Sequence, residues 1–154
     1  KSPANMVGYW GNPEATEEVF NDDGWFRSGD LGYIEDGFVF IVDRVKDLVI
    51  RGGENISCIE VEAAIYSHPS VQEAAVFGIP EERLGETLCA SICLKPSLCL
   101  TEDEIKDFLQ DKIAAYKIPS MIKIHFDELP RVASGKFSKK QLRDDFVAIE
   151  KHRS

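Results

Sequence analysis

Three features of this 154-residue sequence predict an α+β fold, with helices packed on one small mixed sheet behind a short β-rich leading segment. The first is the order of hydrophobic periodicities beyond Asp43, which runs β, β, α, β, β, α, β, α. The second is a set of three capping-box patterns, Ser57 to Glu60, Thr101 to Glu104 and Ser138 to Gln141, each leading into apolar residues at helical spacing. The third is a pair of hairpin turn signals, Asp36-Gly37 and Gly52-Gly53, each set between strand-like runs.

Residues 1–11 (KSPANMVGYWG) read as loop. Asn12-Pro13-Glu14 supplies an N-cap, a proline at the first helical position and an acidic first turn. The short helix that follows carries Val19 and Phe20 and stops at Asn21-Asp22-Asp23-Gly24. Residues 25–34 read as strand, tight turn, strand, and Glu35-Asp36-Gly37 as a hairpin turn. The unbroken apolar run over residues 38–42 predicts a buried strand. At Asp43 the chain turns abruptly from apolar to charged, which sets a domain boundary. Residues 1–42 read as the incomplete tail of one domain and residues 43–154 as a second domain with its own core.

Within that second part, residues 47–57 predict two short strands about Gly52-Gly53. Ser57 opens a helix with Val61, Ala64 and Ile65 on one face, ending before His68-Pro69. A strand is predicted over 71–79 and a loop over 80–86. Leu88, Ala90, Ile92 and Leu94 then alternate as in a half-buried strand. Thr101 opens a helix with Ile105, Phe108, Leu109 and Ile113, and Ile118-Pro119 breaks the chain. Residues 121–126 predict a strand with Ile122, Ile124 and Phe126 on one side. A loop over 129–137 leads to a last helix bearing Leu142, Phe146 and Ile149.

A formal net charge of −9 argues against general affinity for nucleic acid or an anionic membrane surface. Lys136, Lys139, Lys140 and Arg143 form the one candidate basic patch, and the last three read as a solvated helix face. Cysteines 58, 89, 93 and 99 show neither CxxC spacing nor a zinc-like cluster with histidine, and read as reduced thiols of an intracellular, cytoplasmic protein. His68, His125 and His152 are scattered and read as structural or exposed. No apolar run approaches the ~18 residues of a membrane span, and no signal peptide is visible. The chain opens on Lys in mid-pattern, as expected of a piece of a larger protein.

Seven motifs stand in one order: GYW-x-NPEAT (8–16), GWFRSGD (24–30), DRVKDL (43–48), GGEN (52–55), GIPEERLGE (78–86), YKIP (116–119) and PR-x-x-SGK (130–136). Together they resemble the C-terminal part of AMP-forming acyl-CoA synthetases, members of the adenylate-forming superfamily, over nearly the whole chain. The resemblance implies that residues 1–42 end the large nucleotide-binding domain and that residues 43–154 form its mobile C-terminal lobe. DRVKDL followed by IRGGEN is most similar to fatty-acyl-CoA ligases, implying a medium- or long-chain acid as substrate, with ATP and CoA as co-substrates.

The residue types suit those roles. Asp30, on the Ser28-Gly29-Asp30 turn, is a carboxylate able to accept two hydrogen bonds from a vicinal diol, and the resemblance gives it the ATP ribose. Taken alone it reads as an exposed turn residue. Arg44 has the fork geometry for ribose and phosphate oxygens and is implied to contact the nucleotide; its bland reading is an ion pair with Asp43 or Asp47. Lys46 occupies the hinge position implied by the family, though its charge alone suggests an ordinary exposed lysine. Gly52 and Gly53 let backbone approach a ligand, and with Glu54 at the same edge they are implied to meet the pantetheine arm of CoA. A plain hairpin turn is the alternative there.

Lys136 follows Ser134-Gly135 on a loop. Two anions, a carboxylate and the α-phosphate of ATP, must approach one another during adenylation, and an ammonium bridging them offsets the growing repulsion. The resemblance makes Lys136 that catalytic lysine; without it Lys136 is a surface residue before a basic helix. The phosphate loop, acyl pocket and Mg2+-binding glutamate of such enzymes are not among these residues, so the magnesium that accompanies ATP is expected on the large domain. The fragment alone is expected to fold without turning over. Two other readings stay open: an adenylation domain that loads a carrier protein, and a non-catalytic module binding CoA or a carrier.

Overall fold

The computed structural model describes residues 1–151. His152 lies outside the described residues, as does the side chain of Ile149. The chain forms two compact units, Lys1–Lys46 and Asp47–Ser154. The division falls four residues beyond the boundary expected at Asp43, because strand pairing carries on through Asp43 and Arg44 before the chain leaves the hairpin.

In the first unit the Asn12 side chain accepts a hydrogen bond from Ala15 N and opens α1 (Pro13–Val19), with Pro13 at the helix start. Asp36 and Gly37 both take left-handed backbone (φ 50° and 81°), and they join β1 (Asp30–Glu35) to β2 (Phe38–Arg44). Two successive positive φ values match the right-handed twist of the flanking strands, which is why Asp-Gly succeeds there. The strand expected before Asp30 is replaced by an isolated bridge between Phe20 and Phe26. Asn21 explains the difference, since its side chain accepts from Trp25 N at 2.7 Å and folds the chain into a local turn.

The 38–42 run, expected to be buried, is exposed: Phe38, Val39 and Ile41 each keep more than 60% of their accessible surface. A two-stranded ribbon and one seven-residue helix give this unit too little material to cover both faces of a hairpin. Apolarity reported the strand correctly; burial depends on what lies over it.

The second unit is built around β5 (Val71–Glu81) and β6 (Gly85–Leu94), a long antiparallel pair. β3 (Val49–Arg51) pairs with β4 (Glu54–Ile56) and, at Arg51 and Gly85, with β6. β7 (Met121–His125) lies parallel to β6, giving a five-stranded mixed sheet. Helices α2 (Cys58–Tyr66), α3 (Glu102–Gln110) and α4 (Lys139–Lys151) complete the order read from the sequence.

β6 is not half-buried, as its alternation suggested, but buried on both faces. Leu88, Ala90, Ile92 and Leu94 join Val61 and Ile65 of α2 and Ile105 and Leu109 of α3 in one core. Cys89 and Cys93 join Phe77, Leu129 and Leu142 and Phe146 of α4 in a second. Small side chains at alternate positions let a helix close over the face that reads as the weaker one. The loop expected over 80–86 is also shorter, because Pro80 and Glu81 still pair with Glu86 and Gly85.

Local signals set the helix starts. Thr101 and Glu104 form a full reciprocal capping box, and the amide and hydroxyl of Thr101 together hold the Glu104 carboxyl below its usual pKa. Ser57 Oγ accepts from Glu60 N at 3.3 Å, while the Glu60 carboxylate takes Lys117 Nζ at 2.6 Å. Lys139 and Arg143 do not lie on a solvated helix face. Lys139 Nζ bonds Glu62 Oε1 at 2.9 Å, and Arg143 Nε donates to Gly78 O at 3.1 Å.

Candidate functional site

In the first unit, hairpin register decides what Asp30 meets. Pairing runs evenly from the turn as far as Gly32 opposite Ile41, then skips a residue, so Leu31 faces Asp43 and Asp30 faces Arg44. Without that bulge Asp30 would face Asp43, carboxylate against carboxylate. Gly32 makes the bulge possible, since a Cβ there would stand 2.5 Å from Phe40 O. The result is an Arg44 Nε to Asp30 Oδ1 bond of 3.1 Å. Neither alternative partner read from the sequence is the one this bond uses. Asp43 is buried, and its Oδ1 accepts Arg44's own backbone N–H at 2.7 Å.

Beside this pair a groove of about 300 Å³ is lined by Val19, Arg27, Ser28, Gly29, Arg44, Val45 and Lys46. Three cationic side chains around a glycine turn suit an anion such as a phosphate chain. Arg27 went unassigned in the sequence, although it sits inside the GWFRSGD motif three residues before Asp30. Lys46 is exposed and is the last residue of the first unit.

In the second unit, Gly52 and Gly53 take φ values of 60° and 89° and close the β3–β4 hairpin. A Cβ on Gly53 would meet nothing within 4 Å, so the glycine answers to backbone geometry and leaves open space at its surface. A Cβ on Gly52 would sit 3.3 Å from Leu84 Cδ2. Gly52 N donates to Leu84 O at 2.9 Å, which ties the turn to the β5–β6 loop. Arg51 NH1 reaches Tyr116 O at 3.1 Å, and Glu54 is exposed at the same edge.

Lys136 is exposed at the tip of a small loop whose backbone closes on itself. Val132 N donates to Lys136 O at 2.9 Å, Gly135 N to Val132 O at 2.8 Å, and Ser138 N to Pro130 O at 2.7 Å. Beneath the loop lies Glu73 of β5, 7% exposed. Its Oε2 accepts Leu129 N at 2.7 Å and its Oε1 accepts Arg131 NH2. Arg131 also donates through NH1 to Gly135 O at 2.7 Å and lies 4.4 Å over the Phe137 ring. Neither Glu73 nor Arg131 was assigned a role from the sequence, although Arg131 sits inside the PR-x-x-SGK motif five residues before Lys136.

The lysine loop and the glycine turn are far apart. The first is anchored at Glu73, the second at Leu84 and Gly85, which follow Glu81 at the other end of β5. Eight residues of strand separate Glu73 from Glu81, roughly 26 Å at strand rise. Among the described residues no group of three or more His, Cys, Asp or Glu is arranged to hold a metal ion. No helix among them is long and apolar enough to cross a membrane.

Comparison with known proteins places this geometry. The family model of the AMP-binding enzyme C-terminal domain matches residues 60–136. A medium-chain acyl-CoA ligase (ACSF2, mitochondrial) of Bos taurus is 45% identical over 148 residues, covering 96% of this chain and 23% of the relative. A 2-methylpropanoate–CoA ligase (CCL4) of Humulus lupulus is 44% identical over 142 residues, 90% of this chain and 25% of the relative. The chain thus spans about a quarter of the length of these relatives. Among solved structures, ATP-bound MatB from Rhodopseudomonas palustris superposes with a TM-score of 0.87 at 38% identity, covering 95% of this chain and 29% of that one. The o-succinylbenzoate CoA synthetase MenE of Bacillus subtilis, in complex with its acyl-adenylate intermediate, gives 0.84 at 39% identity over 93% of this chain and 29% of that one. With half of its length matched by the family model and its fold shared with these enzymes, the chain belongs to the AMP-binding enzyme C-terminal domain family.

Proposed function

We propose that this chain is the C-terminal part of an ATP-dependent, AMP-forming acyl-CoA ligase acting on a medium- or long-chain fatty acid. In this reading residues 1–46 end the large domain, and the second unit is a lobe that turns about Lys46 between two half-reactions. One observation carries it: the lysine loop and the glycine turn are anchored at opposite ends of one strand pair in the sheet. A single active centre meets both only if the lobe presents its ends in succession.

In the first half-reaction a carboxylate oxygen of the acid bonds to the α-phosphorus of ATP, and pyrophosphate leaves. Asp30 accepts from the ribose hydroxyls and Arg44 stands beside it for ribose or phosphate oxygens. Lys136, on an exposed tip, offers its ammonium where two anions converge. In the second, the CoA sulfur attacks the acyl carbonyl and AMP departs. The open surface at Gly53 then gives the pantetheine arm a path along the backbone, with Gly52 and Glu54 at its edge. No residue of this chain is assigned to Mg2+, which in this reading is held by the remainder of the enzyme.

The exposed apolar faces of the first unit support its place in a larger domain that covers them. The names of the relatives support CoA as acceptor and an aliphatic acid as substrate. The test separates the half-reactions in the full-length enzyme. Lys136→Ala is expected to abolish acyl-adenylate formation while sparing thioester formation from supplied acyl-adenylate. Equal loss of both would refute the assignment.

A further inference from the structure

We infer that Arg131, seated on Glu73, is the positioning residue that fixes where Lys136 points, so that the reach of the lysine is set by a buried carboxylate in the sheet. The inference rests on the reading of Lys136 given above.

The loop from 131 to 137 has no core of its own. Its tip, residues 132–136, is exposed throughout, and a loop of that kind ordinarily samples many shapes. Here one side chain holds three points at once. The Arg131 guanidinium binds Glu73 Oε1, donates to the carbonyl of Gly135, directly before Lys136, and stacks on Phe137, directly after it. Phe137 in turn packs against the core under α4. Both covalent neighbours of Lys136 are thereby tied to the same group, and that group is tied to β5.

Glu73 is shaped for this task. It takes a buried position near the start of β5, at the one irregular step in the β5–β6 pairing, between Val71 and Glu73. Its second oxygen accepts Leu129 N, fixing where the loop begins. Such a carboxylate needs both partners, and only a planar fork serves Glu73, the Gly135 carbonyl and the Phe137 ring together. A lysine at position 131 keeps the charge and loses the fork. The Lys136 ammonium itself is left out of this network, as a group that must reach another molecule has to be.

The experiment uses the full-length enzyme and the two half-reactions assayed separately, with Arg131→Lys, Glu73→Gln and Lys136→Ala in parallel. Arg131→Lys is expected to slow acyl-adenylate formation by about ten- to a hundred-fold, the scale of a small misplacement of a reacting group. Thioester formation from supplied acyl-adenylate should stay within about two-fold of wild type. Glu73→Gln, which keeps an acceptor for Leu129 N, should shift the same step in the same direction. Hydrogen exchange across residues 131–137 should rise in both variants with the unfolding midpoint retained. If Lys136→Ala is selectively defective but Arg131→Lys and Glu73→Gln are not, the positioning role is overturned while the role of Lys136 stands. Equal slowing of both half-reactions in Arg131→Lys and Glu73→Gln would mark the clamp as merely structural and overturn it too. A Lys136→Ala enzyme with unchanged adenylation would instead remove the reading beneath it.

Discussion

Arg44 Nε donates to Asp30 Oδ1 at 3.1 Å across a hairpin whose even register would have set Asp30 against Asp43. The pair is partly exposed, with the arginine side chain 45% accessible, and such a pair adds at most about 1 kcal/mol to stability. Its value to the protein lies elsewhere. Asp30→Asn in the full-length enzyme should raise the KM for ATP by about tenfold, since a charge-assisted acceptor is lost. The melting midpoint should scarcely move. Gly32→Ala should raise that KM as well, because a Cβ 2.5 Å from Phe40 O cannot coexist with the bulge that aligns the pair. An unchanged KM in both variants would leave the pair a surface ornament.

The glycine turn makes the complementary prediction. With φ at 89° and open space around its Cβ position, Gly53→Ala meets no steric neighbour and bears only the left-handed backbone cost of roughly 1–2 kcal/mol. In the whole enzyme the added methyl should slow thioester formation and leave acyl-adenylate formation intact, the mirror image of Lys136→Ala. Slowing of adenylation by Gly53→Ala would show that the turn does not serve the second step.

What the sequence disclosed was local. Asp36-Gly37, Gly52-Gly53, Ser57 and Thr101 each act within four residues, so turns, helix starts and element order were legible. What it hid depends on partners distant in sequence. Cys89, Ser91 and Cys93 are too small and too mildly polar to declare that their face is covered, and α4, which covers it, begins 46 residues after Cys93. The partner of Arg44 follows from a one-residue bulge that only Gly32 hinted at. The Glu73–Arg131 clamp joins residues 58 apart, and neither belongs to a short pattern that announces the other.

Core distribution predicts where stability resides. Among the described residues every buried hydrophobic side chain lies at or beyond Val49, divided between the two faces of the sheet. A chain of residues 47–154 should therefore unfold cooperatively with a midpoint within about 3 °C of the 154-residue chain. Thermal melts followed by circular dichroism check this. A non-cooperative melt of the shorter chain would show that residues 1–46 carry part of the fold.

His125 ends β7, where its Nε2 lies 3.2 Å from the buried Ser91 Oγ. Burial, reinforced by the nearby Lys123 charge and opposed by Asp145, pulls its pKa below the ordinary 6.5. The folded state therefore binds this proton more weakly than the unfolded state does. Between the depressed folded value and 6.5 the unfolded chain carries more protons, so stability rises with pH across that window and falls as the solution is acidified through it. His125→Gln keeps a polar group for Ser91 and does not titrate. Taken from about pH 7.5 to about pH 5.5, the wild-type chain should lose more of its urea midpoint than the variant does. The two curves should converge or cross as the acid penalty on the imidazole grows. Parallel curves would mean that the imidazole is protonated in the folded state as readily as in the unfolded one, and that the penalty assigned to its burial is absent.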